Sequence, residues 1–290
     1  MSIRTTLSMG RGCAAAAIFF AGNLVVAASS MAADRPLFPA PLHITRELTN
    51  PVSGTKSVVD EYCHGNRVVA VSGRRTSIAD YAKGEVLSID FEAGTYSVTK
   101  FEAIAKLHAR TATVSTNAAS ARSASAWKSE RRGNAMVALR AGEGIELERT
   151  GEGSRNGERQ QIRLVADQQL SLGRAAIEAL LGTGYPNRRD DSADAILSAL
   201  RTSRGATAAT NSSSAAAAEG EYHLPLQYNV RVDVGGETVE VRNVVLRIGN
   251  ELAPPDVLAV PPGATLVDSD VVTAQRMLEE LDGASRSQNR

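Results

Sequence analysis

Between Leu42 and Lys100 apolar and polar residues alternate in short runs. Leu42, Ile44 and Leu48, and then Val58, Asp60 and Tyr62, keep a two-residue spacing; Val68 to Val71 is a compact apolar run, and Glu85 to Phe91 and Thr95 to Lys100 follow. A period of two sends successive side chains to opposite faces, so these runs predict strands. Turn formers separate them: Asn50-Pro51 with Ser53-Gly54, His64-Gly65-Asn66, Ser72-Gly73, Lys83-Gly84 and Glu92-Ala93-Gly94. Connections this short join antiparallel neighbours.

At Phe101 the spacing changes. Residues 101–131 lack the helix breakers up to Arg131 and place Phe101, Ile104, Ala105 and His108 on one helical face, after which the run thins to Ala, Ser, Thr and Arg. A helical, Ala/Ser-rich segment is expected over 101–131. Strands are expected at Gly144–Arg149 and Gln161–Ala166, bridged by Gly151, Gly153 and Gly157. That glycine run is a hairpin turn rather than a phosphate loop, because its third glycine comes one residue late and a strand follows where the dinucleotide fingerprint needs a helix. Leu172–Leu181 and Ser192–Leu200 have helical spacing and are split by Gly182, Gly184 and Pro186. The low-complexity tract 203–220 reads as flexible. Tyr222–Val234 and Glu237–Ile248 flank Gly235-Gly236, a hairpin pattern. The prolines of Ala253–Ala264 deny it a central strand and place it along an edge. A last amphipathic helix is expected over 268–282, capped by Asp268 or Ser269, with Val272, Met277, Leu278 and Leu281 on its apolar side and Asp282-Gly283 as its stop.

Composition changes the picture at the amino terminus. Arg4 and Arg11 precede the apolar run Cys13–Ala28, and small residues from Ser29 to Ala33 follow. This pattern predicts a cleavable secretory signal peptide over residues 1–32. The domain organisation expected is then a signal peptide (1–32), a single curved-sheet domain (33–267) and a carboxy-terminal helix and tail (268–290). Export places the mature chain in the periplasm or outside the cell with no integral membrane segment. Cys63 becomes its lone cysteine, either free or bonded to another chain. Lys+Arg and Asp+Glu are both 32, so no overall field draws the chain to nucleic acid. Alanine accounts for 45 residues and aromatics for 4%, a composition poor in the groups that line a greasy cavity.

Candidate chemistry is sparse. His43, His64, His108 and His223 sit on separate segments without paired ligand spacing. Cys63 and His64 are strand neighbours that point to opposite faces, so they make no nucleophile and base. No HExxH, GxSxG or CxxC occurs. The carboxylate pairs Asp60/Glu61 and Asp190/Asp191 would need opposed surroundings for acid/base work, and the second suits a helix start. Arginine outnumbers lysine 27 to 5, yet Arg131, Arg132, Arg155, Arg159 and Arg163 stand among acids without interleaved aromatics. Trp127 is read as a packing residue, and Asn211-Ser212-Ser213 is a formal glycosylation triplet. No catalytic residue, metal site or cofactor is expected, and no ligand-binding residue is singled out.

Two stretches carry a resemblance. VLSIDFEAGTYSVTKFEAI, Val86 to Ile104, places Asp90 at a strand end, Tyr96 on the next strand and a helix start at Phe101; PPDVLAVPPGATL runs from Pro254 to Leu266. Together they resemble exported bacterial proteins of unknown function with the LolA/LolB-like architecture of lipoprotein carriers. The resemblance implies an α+β fold, a strongly curved antiparallel sheet forming a half-open barrel with helices on its concave face. It also implies a concavity that accepts lipid, a lipidated peptide or a lipoprotein. The expected function is that of a non-catalytic exported binding protein. The alternatives are an envelope protein-interaction or structural module with a filled core and, last, an enzyme whose residues meet only on folding.

Overall fold

The computed structural model describes residues 36–50, 53–117, 127–150, 159–182, 191–202, 220–234 and 237–288. Six strands come first: β1 (Phe38–Thr49), β2 (Lys56–Gly65), β3 (Arg67–Ser72), β4 (Arg75–Asp80), β5 (Glu85–Asp90) and β6 (Thr95–Lys100). Helix α1 (Phe101–Asn117) leads to β7 (Lys128–Val137), β8 (Arg140–Thr150) and β9 (Arg159–Gly173), then to α2 (Arg174–Leu181) and α3 (Asp191–Leu200). The chain closes with β10 (Glu221–Val234), β11 (Glu237–Gly249), β12 (Thr265–Leu266) and α4 (Asp270–Gln288).

All twelve strands form one sheet in the order β12-β6-β5-β4-β3-β2-β1-β11-β10-β9-β8-β7. It is two meanders joined where β1 pairs antiparallel with β11. Every pairing is antiparallel except that of β12 beside β6. The sheet is open but strongly curled: Cα atoms of β7 come within 8 Å of β11, whereas four strand spacings of a flat sheet would hold them about 19 Å apart.

Register assigns the faces. Leu42, Ile44 and Arg46 of β1 stand opposite Cys63, Glu61 and Val59 of β2, and Cys63 stands opposite Val68 of β3. This inner face carries the core, continuing through Ala79 and Val86 on one side and Leu224, Leu226, Leu164 and Ile145 on the other. The helices fill it: Phe101 and Ile104 of α1, Ile177 of α2, and Ile196 and Leu200 of α3 are each at most 8% exposed. On the outer face Val69 and Ile78, paired across β3 and β4, are buried as well. Leu252, Ala253 and Leu258 of the proline-rich segment 250–264 lie beside Val69.

Most predicted strands are found, as are the helices at 174–181 and 191–200. Four expectations are corrected. The helical segment does not reach Arg131: α1 ends at Asn117, and from Lys128 the chain forms edge strand β7, whose backbone groups pair with β8. A weak local helix preference yields to that ladder. Leu172 belongs to β9, where it pairs with Tyr222, and α2 begins only after Gly173. Asp282-Gly283 does not stop the last helix, which continues to Gln288; a single glycine costs an exposed helix only about 1 kcal/mol. Residues 253–264 form no strand, and the edge is taken by the two residues of β12. Strand β4 has no strong sequence pattern and was not anticipated. The signal segment, the glycines of 151–157, Gly184, Pro186, Asp190, the tract 203–219 and Gly235-Gly236 lie outside the described residues. Among the described residues no helix is long and apolar enough to cross a membrane.

Candidate functional site

Three places combine exposure, polarity or unmet hydrogen-bonding capacity. The first is a trough of about 380 Å³ on the inner side of β2–β6, at the start of α4. Ser97, Ser88 and Ser77 stand in direct register across β6, β5 and β4, followed by Ala70 on β3. These short side chains keep the sheet surface low beneath the start of α4. Ser57, Ser72 and Thr95 add hydroxyls, and Val267 and Asp270 form the opposite wall. Arg75 closes one end by donating to Asp90 at 2.9 Å. Asp90 also accepts from the backbone N–H of Ala93 at 2.9 Å and of Glu92 at 3.1 Å. The Ala93 amide foremost, with Arg75 behind it, holds this carboxyl below the usual range.

The second place is the centre of the inner face. Arg46 occupies the apolar phase of β1 and is 3% exposed. Its Nε donates to Glu61 at 2.7 Å, and its Nη1 reaches the Pro225 carbonyl at 3.4 Å and Asn243 Oδ1 at 3.5 Å. Breaks in register on both sides of Pro225 turn that carbonyl out of the ladder. Nη2 is buried and has no acceptor. An unmatched donor in a buried guanidinium is costly, and an anionic or carbonyl group brought to it would be held firmly.

The third place lies on the outer face, where β11 runs into segment 250–264. His43 is buried, with Nε2 at 2.9 Å from Asp60 Oδ1 and Nδ1 at 3.1 Å from Glu251 Oε2. Its ring stacks on Tyr62 with centroids 4.2 Å apart and planes 11° from parallel. Thr45 donates to the same Asp60 oxygen at 2.7 Å, and Arg247 pairs with Glu251. Burial, then the charges of Asp60 and Glu251, push the Tyr62 phenol up. Glu251 is held low by its own backbone N–H and then by His43. A pocket of about 250 Å³, lined by Tyr62, His64, Arg67 and Val69 below and by Leu252, Ala253 and Leu258 above, lies alongside.

The residues singled out in the sequence are mostly dispersed. Cys63 is 1% exposed on the inner face, and burial foremost raises its thiol well above the ordinary value. His64 is exposed on the opposite face at the end of β2. His223 Nδ1 is buried without a partner, and the His108 side chain is outside the described set. Among the described histidine side chains His43 is the one brought against carboxylates, and both its ring nitrogens are taken by them. Among the described residues no three His, Cys, Asp or Glu side chains converge as metal ligands would. The arginines of the second meander meet acids: Arg131 pairs with Glu143, Arg132 with Glu146 and Arg159 with Glu148. Trp127 packs against the core with the Arg149 guanidinium 5.0 Å from its ring centre. Arg46 and Glu251 were missed. Arg46 carried a usable signal, a charge on the apolar phase of an alternating strand; Glu251 carried none.

No family model and no curated protein matches the sequence. Among solved structures, PNGF-II aligns over 82% of this chain and 32% of its own, with 7% identity and a TM-score of 0.32. MucB aligns over 78% of this chain and 59% of its own, with 12% identity and a TM-score of 0.30. The chain thus spans about a third of the first and under two thirds of the second.

Proposed function

We propose that this is an exported, non-catalytic interaction module of the cell envelope, with an inner face filled by its own helices and a hydroxyl-lined trough that receives a polar segment of a partner protein. The observation that carries this reading is the burial of Phe101, Ile104, Ile177, Ile196 and Leu200 against the sheet. Apolar surface that a lipid carrier would leave for its cargo is occupied here by side chains, and half of the residues lining the space left open at the trough are serine or threonine. The finer assignment to the LolA/LolB kind belongs to the same proposal. In its support, the two motifs behind that resemblance meet: Thr265 N–H donates to Gly94 at 2.9 Å and Val267 N–H to Tyr96 at 2.8 Å.

One observation favours a second reading, binding of an apolar ligand with an acidic or carbonyl head. Arg46 Nη2 is a buried donor on the inner face with no acceptor. Organic extraction of the purified protein followed by mass spectrometry separates the two. The expected outcome is an extract without stoichiometric lipid and no uptake of a fluorescent fatty acid. Bound lipid together with uptake that is lost in Arg46→Met would overturn the first reading in favour of the second.

A further inference from the structure

Segment 250–264 crosses the outer face as a strap with few ties. Its backbone hydrogen bonds are local: Val257 to Pro254 at 3.2 Å, Leu258 to Pro255 at 3.2 Å and Ala264 to Pro261 at 3.1 Å. Beyond it, β12 fixes one end to β6. At the other end Glu251 reaches back to His43. Most strap residues are exposed, Leu252 by 59% and Leu258 by 42%, so little apolar burial opposes its release.

The bridge at the Glu251 end has a specific proton requirement. Both His43 nitrogens face carboxylate oxygens, which accept hydrogen bonds and donate none. Both contacts are hydrogen bonds only when the ring carries two protons. A neutral ring leaves one nitrogen lone pair against a carboxylate. We propose that His43 and Glu251 form a proton-operated latch, which holds the strap over the outer face when the imidazole is charged and loosens it when the ring loses a proton.

The groups facing His43 can be named element by element. From β2 come Asp60 and Tyr62; from β11, Arg247; from the strap, Glu251; and from β1 itself, Thr45 and, one pair further along the same face, Glu47 with its partner Lys56 at 2.9 Å. Between about pH 5.5 and 8.0 Tyr62, raised, stays neutral, and Glu251, lowered, stays ionised. Arg247 also pairs with Glu251 and retains part of the tether, so the strap loosens without leaving. Gly249, opposite His43 on β11, is part of the device: a Cβ there would fall 1.9 Å from Glu251 Oε2. Any side chain at 249 moves the carboxylate off the histidine, at little strain because the displaced group is the tip of an exposed side chain.

Hydrogen exchange of the intact chain at pH 5.5 and 8.0, corrected for intrinsic chemistry, tests this. Amides of 250–264 should exchange about tenfold faster at the higher pH, the change expected from losing one charge-assisted hydrogen bond, with β3–β5 unaltered. Gly249→Ala should show fast strap exchange at both values. Glu251→Gln, whose amide can turn to donate or accept, should show slower, pH-independent exchange. Equal protection of the native strap at both values would overturn the latch, as would the native pH dependence persisting in both variants.

Discussion

Asp90 shows how a single side chain holds a turn. It accepts from two backbone amides at the β5–β6 turn and from Arg75, so Asp90→Ala strands the two N–H groups and should lower stability by about 1–2 kcal/mol in urea unfolding. Most of that loss comes from the amides, because Arg75 is exposed and its ion pair is screened. The carboxyl is lowered in the folded chain, so its contribution is present above the ordinary aspartate value of about 3.9 and disappears as pH falls through the folded value. Native and variant midpoints should therefore converge in acid. Asp90 was legible as the strand end of the motif Val86 to Ile104, followed by the turn formers Glu92-Ala93-Gly94. Glu251 was not, because its partner His43 lies 208 residues away and no local period records that contact.

The β7–β8 hairpin turns on Ala138 and Leu139, both in the left-handed region at φ 50° and 62°. Tight hairpins prefer this geometry for the twist it imposes, but they favour Asn-Gly there, since a Cβ is crowded at positive φ. Leu139 is 96% exposed and gains nothing from packing. Ala138→Asn combined with Leu139→Gly should raise stability by about 1–2 kcal/mol, read as a higher urea midpoint with unchanged slope. An unchanged or lower midpoint would show that the turn carries no strain. The absence of Asn or Gly at this turn also explains why the sequence did not announce it. The Ala-rich stretch before it looked helical, whereas the Gly-punctuated turns of β2–β6 were plain from the sequence. Strand β4 escaped notice for a related reason: flanked by two predicted turns, it has only Ile78 as a large apolar residue.

Across the whole molecule, the two meanders share one core and one seam, β1 against β11. Ile44 of β1 and Val245 of β11 are both essentially buried at that seam, so neither half closes its inner face alone. Trp127, the single tryptophan, packs with the second meander's side of the core, near Arg149 of β8. Its fluorescence and the far-ultraviolet circular dichroism of the entire sheet should trace the same urea transition; separated transitions would mark the meanders as independent folding units. The joining of the two meanders through β1 and β11 could not be read from periodicity, which reports the strands and the turns between neighbours but not a pairing between the first strand and the eleventh. Cys63 turns this architecture into a measuring device. Its sulfur faces inward beside the seam, sealed from solvent and reluctant to ionise. A thiol-specific reagent therefore modifies it only in the moments when the sheet and its helical cover part, so the labelling half-life of the native chain is a clock for how often the interior breathes.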